Sequence, residues 1–164
     1  MGNVHKSLNR FDTLADIMTM IADNLHAVAQ RIALACQQQN RPVDAVRLLA
    51  VSKTFGPDAV HASFDAGQRA FGENYIQEAV EKMAALQAMG APALQWHCIG
   101  PVQSNKTRLV ATHFDWVHSV DRLKIAQRLS EQRPEDRAPL QVCLQVNVDG
   151  GANKSGVAPD ELSV

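Results

Sequence analysis

Between Leu48 and Val148 the chain alternates short apolar runs with stretches of helical period, and this alternation restricts the possible folds more than any other feature. The runs are Leu48–Thr54, Ala70–Asn74, Leu94–Gly100, Trp116–Val120 and Leu140–Val148. Each has the length of a strand rather than of a helix. Between them apolar residues return every three or four positions, as in Ile76, Val80, Met83 and Leu86, or Ile125 and Leu129. Pro57 suits the first turn of a helix that Gly67 closes, and Gly90-Ala91-Pro92 and Pro134 stop two others. Ser104 is expected to cap a helix running to about His113, and Asp121 to cap the next. Strands separated by single helices are joined as parallel βα units.

An amphipathic helix precedes this series. Ile17, Met20, Ile21, Leu25, Val28 and Ile32 share one stripe, and Asn40-Arg41-Pro42 ends it. The expected organisation is a tail over 1–13, a helix over 14–40 covering the outside or one end, and βα units over 46–164 in a single domain. With 164 residues, 46% of them hydrophobic, the chain can bury one real core. Sixteen Lys and Arg against 17 Asp and Glu leave a formal charge of -1, so no nucleic-acid or anionic-membrane partner is expected. Cys36, Cys98 and Cys143 are widely spaced and odd in number, which argues against a disulfide framework or a zinc site and for a reducing cytoplasm. No apolar stretch approaches the ~20 residues of a membrane span.

Such a series closes either as an open doubly wound sheet or as a (β/α) barrel. No Gly-rich dinucleotide fingerprint follows any strand. Polar residues instead mark the carboxyl ends of successive strands: Lys53, Glu73 with Asn74, Ser119 with Asp121, and Asn147 with Asp149. That pattern suits a barrel mouth shared by several strands. A full barrel takes about 250 residues, so the expected fold is an incomplete α/β TIM-type barrel of about five parallel strands. Its two uncovered edges would favour association.

Lys53 is the residue with the sharpest chemistry. A lysine desolvated at the carboxyl end of a buried strand loses part of its preference for the ammonium form. Its neutral amine can then form a Schiff base with an aldehyde, pyridoxal 5'-phosphate (PLP) being the obvious biological one. The alternative is a lysine that merely leaves a strand into solvent. His97 shares a strand face with Gln95 and Ile99, and is either a lining group of the barrel interior or a hydrogen-bonded core histidine.

LLAVSKT (48–54), DAGQRAFGENYIQ (65–77), WHCIGPVQSNK (96–106), VDR (120–122) and KSG (154–156) resemble, in order and spacing, the PLP homeostasis proteins, single-domain relatives of the alanine racemase amino-terminal barrel. The resemblance covers about residues 20 to 160. It implies a cytosolic, monomeric PLP-binding barrel that serves the supply of PLP and of amino and keto acids without established turnover. By position Lys53 matches the family's Schiff-base lysine, Asn74 a residue near the cofactor ring, and Lys154 a basic residue associated with PLP handling. Without the resemblance, Asn74 could cap the helix that follows and Lys154 would be a surface-loop lysine. The family commonly carries a second lysine two positions after the first, where this chain has Phe55. Its phosphate-binding groups belong to a carboxyl-terminal portion absent from these 164 residues, so weakened PLP binding, as in a fragment, is one alternative. A PLP enzyme such as a racemase is another, but it would need a second acid/base opposite the lysine.

Overall fold

The computed structural model describes residues 14–151 and 153–163, and the expected tail over 1–13 lies outside them. Helix α1 (Leu14–Gln38) leads through a 3-10 turn, Val43–Ala45, into β1 (Ala50–Val51) and α2 (Pro57–Asp65). Then come β2 (Ala70–Glu73), α3 (Ile76–Ala88), β3 (Gln95–Cys98), α4 (Thr107–His113), β4 (Trp116–Val120), α5 (Leu123–Gln132) and β5 (Gln141–Leu144). A second 3-10 segment covers Pro159–Ser163. Every strand pairing is parallel, and spatial order follows chain order from β1 to β5. A doubly wound sheet reverses its order at a switch point, whereas a barrel wall does not. Here the order never reverses. Among the described residues β1 and β5 are not paired with each other, so the wall stays open, as expected of an incomplete barrel.

The two faces of the sheet differ in what they meet. Phe71, Trp96, Cys98 and Val117 form one buried cluster with Val60, Ala79, Leu86, Val110, Ile125 and Leu129 of the helices. Each large apolar side chain removed from water in this layer contributes about 2 kcal/mol. The opposite face carries Leu49, Gly72 and Ile99: a methyl group at Gly72 would stand 3.0 Å from Ile99 Cδ1 and 3.5 Å from Leu49 Cδ2. Strand alternation puts Val51, Gln95, His97, Trp116 and His118 on that same face, the concave side of the wall.

The helix stops act as the sequence suggests. Asn40 takes φ 51°, and Arg41 N–H donates to Cys36 O at 2.9 Å to close α1. Gly90 takes φ 76° and Ala91 N–H donates to Leu86 O at 3.0 Å to close α3. Helix α1 packs on α2, and its Ile21, Leu25 and Val28 share a groove with residues 48–52 of the β1 edge.

Several expectations need correction. Strand β1 has two residues rather than seven. Ser52 N–H extends the ladder by donating to Gly72 O at 3.0 Å, and Phe55 N–H then turns back to Ser52 O at 3.0 Å. Lys53 therefore lies in a turn beyond the strand, because a one-sided edge strand must swing at once into the Pro57 helix. It is also exposed rather than desolvated, since no described strand covers the far side of β1. Strand β5 is likewise short, its register with β4 shifts between Val117 and Val120, and Val142 and Leu144 stand about half exposed on this edge.

None of the three expected caps forms. Helix α4 starts at Thr107, where Ser104 supplies only its carbonyl, to Thr107 Oγ1 at 2.9 Å and Arg128 Nε at 3.1 Å. Asp121 is taken by the neighbouring Arg122 guanidinium at 2.8 and 2.9 Å, a charged partner that outcompetes a neutral amide. Tyr75, not Asn74, flanks α3, without a side-chain cap.

Candidate functional site at the carboxyl ends of β1 to β4

Val51 pairs with Gly72, and the ladder ends where Ser52 N–H donates to Gly72 O at 3.0 Å. Lys53 follows in the turn beyond β1, and Asn74 directly follows the neighbouring strand β2. Lys53 is exposed and Asn74 half buried. Among the described residues the Lys53 amine enters no ion pair, in contrast to Lys82. The Asn74 segment is fixed from the other side. Gly100 packs directly on it, so that a side chain at Gly100 would collide with the Asn74 carbonyl oxygen and Cα. Ile99 N–H donates to Glu73 O at 2.9 Å, and Ser119 Oγ donates to Gly100 O at 2.5 Å. The ends of β2, β3 and β4 are thus tied into one rim. Asn74, Tyr75, Gln103 and Lys106 open onto a common cleft along it.

Behind the Lys53 turn, on the helix side of the sheet, lies a buried polar set. Lys82 Nζ of α3 donates to Glu73 Oε1 and to Ser52 O, both at 2.6 Å, and Ser52 Oγ donates to Glu73 Oε1 at 2.7 Å. The Glu73 side chain is fully buried and that of Lys82 is 8% exposed. The second carboxylate oxygen, Oε2, is buried without a partner. Sequence reasoning marked Glu73 only as a strand-end polar residue and passed over Ser52 and Lys82. A signal for Lys82 did exist: it falls on the same stripe of α3 as Ile76, Ala79 and Leu86, where a charge needs a partner.

His97 lies one layer deeper. It pairs with Gly72, two residues before Asn74, or about 7 Å at the rise of a parallel strand. Both ring nitrogens are engaged, Nε2 with Gln95 Oε1 at 3.2 Å and Nδ1 with His118 Nε2 at 2.9 Å, and the ring stacks on Trp116 with 4° between planes. An amide oxygen only accepts, so His97 carries its proton on Nε2 and receives one from His118 Nε2. Burial, and then the neighbouring His118, hold its pKa down at about 4, against a smaller opposing effect of Asp115. At neutral pH the ring is uncharged. Burial likewise pushes the Cys98 thiol up to about 11, which removes it as a nucleophile.

Lys154, exposed, sits in the loop after β5, where its N–H donates to Gly151 O at 2.9 Å. The structure therefore places Lys53 and Asn74 just after the neighbouring strands β1 and β2, His97 on the concave face of β3, and Lys154 in a separate turn. Among the described residues no group of three or more His, Cys, Asp or Glu is arranged to hold a metal ion, and no helix is long and apolar enough to cross a membrane.

Residues 24–164 match the model of the alanine racemase N-terminal domain. A curated relative from Pseudomonas aeruginosa, named pyridoxal phosphate homeostasis protein, is 59% identical over 145 residues, which are 88% of this chain and 62% of the relative. The relative of the same name from Haemophilus influenzae is 52% identical over 142 residues, 87% of this chain and 60% of that one. The chain thus spans about 60% of the length of the curated relatives it matches. Among solved structures, PipY of Synechococcus elongatus with PLP bound superposes with a TM-score of 0.65 at 42% identity, covering 82% of this chain and 60% of that one.

Proposed function

The chain belongs to the alanine racemase N-terminal domain family, and from that premise we propose that it binds PLP at the rim of its barrel wall, as a Schiff base on Lys53. Its role on this reading is the intracellular homeostasis of PLP and of amino and keto acids. One observation carries the proposal: an exposed primary amine without an ion pair among the described residues stands in the turn just after β1, and Asn74 directly follows β2, the strand that β1 pairs with. The names of the curated relatives and the PLP held by PipY support it.

The residues present fit the aldehyde side of the cofactor. When bound, PLP supplies an aldehyde that a lysine amine captures and a ring that withdraws electrons. Among the described residues Lys53 has no carboxylate partner to hold its amine in place, where Lys82 is bonded to Glu73. Asn74 offers an amide that hydrogen-bonds a ring oxygen without adding a charge. His97, neutral on the concave face of β3, floors the site without repelling the protonated form of a bound Schiff base. Lys154 is the further basic group for handling the anionic cofactor. We assign no turnover to the chain. Racemisation needs a second acid/base on the far face of the cofactor, and the only tyrosine, Tyr75, lies exposed beside Asn74 on the rim. We place the protein in the cytoplasm, where its free cysteines stay reduced.

Titration with PLP is expected to produce an absorbance band of the Schiff base near the visible edge. Borohydride should trap the adduct on Lys53, as read by peptide mass spectrometry, and Lys53→Ala should abolish both signals. A folded sample that shows neither signal, or one trapped at another lysine, refutes the proposal.

A further inference from the structure

Lys53, in the turn after β1, and Lys82, on α3, are treated by the structure in opposite ways. Lys53 is exposed and unpaired; Lys82 is buried and bonded to Glu73 Oε1 and Ser52 O. Ser52 is the residue directly before Lys53. Its backbone and hydroxyl are occupied at every position: N–H on Gly72 O, Oγ on Glu73 Oε1, and a carbonyl that receives both Lys82 Nζ and Phe55 N–H. Strand β1 has only two residues and one neighbouring strand, so its ladder alone is a weak anchor for the turn.

A buried ion pair is seldom the most stable way to fill such a space, because apolar side chains of similar volume do as well or better. What an ion pair provides that an apolar trio cannot is direction. Here the direction is set on the carbonyl from which the Lys53 turn departs.

We infer that Glu73, Lys82 and Ser52 form a positioning clamp, which fixes the turn 52–55 and thereby aims the Lys53 amine at the aldehyde-binding side of the rim. The inference rests on the proposed capture of PLP by Lys53. In that reaction the amine nitrogen bonds to the aldehyde carbon, a C=N bond replaces C=O, and the oxygen leaves as water with the two amine hydrogens. The clamp residues exchange no proton or electron with it. They act through Ser52 on where the amine stands, and are positioning rather than catalytic residues.

The test uses a variant that removes the charges without leaving one stranded. Glu73→Leu with Lys82→Met keeps the volume apolar, and its melting temperature should stay at or above that of the parent. Its rate of Schiff-base formation with PLP should nevertheless fall about ten- to a hundredfold, the scale on which a misplaced reacting group loses rate. Ser52→Ala should slow the reaction in the same sense, and Ser52→Thr, which keeps the hydroxyl, should restore it. A readout without cofactor accompanies these rates: amide hydrogen exchange of the peptide containing Lys53 to Phe55 should accelerate in the double variant. Parental capture rates and exchange in the double variant would overturn the clamp alone. A parent protein that captures no PLP at Lys53 would overturn the function on which the clamp rests, and unchanged exchange beside it would dispose of the clamp as well.

Discussion

The His97 layer makes the stability of the protein depend on pH in a way that one substitution should remove. In the folded chain His97 titrates at about 4, and its ordinary value in an unfolded chain is 6.5. A histidine whose pKa is lowered by folding favours the folded state fully above the unfolded value. As pH falls from about 6.5 toward 4, the unfolded chain takes up a proton that the folded chain refuses, and stability declines. Below about 4 both states are protonated and the loss levels off at roughly 3 kcal/mol. At pH ~5 it amounts to about 2 kcal/mol, or about 4 to 8 °C in melting temperature for a chain of this size. Burial is the larger cause and His118 adds to it: His97 Nδ1 accepts from His118 Nε2 at 2.9 Å, so a proton placed on Nδ1 sets two N–H groups against each other unless His118 changes tautomer. Urea unfolding of the parent and of His97→Gln at pH ~7.5 and ~5 measures the effect. The variant should be less stable throughout, and the difference between the two proteins should shrink by about 2 kcal/mol at the lower pH. Parallel profiles would refute the reasoning.

Three further outcomes follow from packing and charge. Lys82→Met alone leaves the buried Glu73 carboxylate without its cation and should cost about 3 to 5 kcal/mol by denaturant unfolding. The double change with Glu73→Leu should recover most of that cost. Gly100→Ala drives a methyl group into the Asn74 backbone; it should lower stability by about 1 to 3 kcal/mol and weaken PLP capture by displacing Asn74. Leu144→Lys, on the half-exposed edge strand β5, should reduce concentration-dependent association of the 164-residue chain in sedimentation or sizing experiments, with little change in melting.

What the sequence disclosed was mainly what local chemistry decides. The alternation of apolar runs with helical periods fixed the order of elements, and Gly67, Gly90 and the Asn40 turn ended helices where conformational preference alone demands it. The expected caps failed because capping is a competition. Asp121 has Arg122 beside it, and a charged neighbour takes the carboxylate before any backbone amide can. The lengths of β1 and β5 were not legible either, since an apolar run does not reveal whether a strand has one neighbour or two. Edge position shortens both strands here, and on β1 it exposes the lysine that burial was expected to neutralise.

That exposure changes how the reactivity of Lys53 has to be explained. If burial cannot lower its preference for the ammonium form, position must do the work. In this wall it can, because the carboxylate at the end of the neighbouring strand has been drawn to the other face. Glu73 lies between Gly72, which faces the cavity, and Asn74, and it points to the helix side, where Lys82 and Ser52 Oγ occupy its Oε1. A carboxylate at position 74, just after the strand that β1 pairs with, would have competed with the aldehyde for the Lys53 amine. An amide stands there instead. The consequence can be measured: Asn74→Asp, nearly the same in volume, should slow capture of PLP at neutral pH and move the rate profile toward higher pH, while melting changes little. A profile that does not move would mean that the residue at position 74 leaves the Lys53 amine untouched, and the explanation from position would fail.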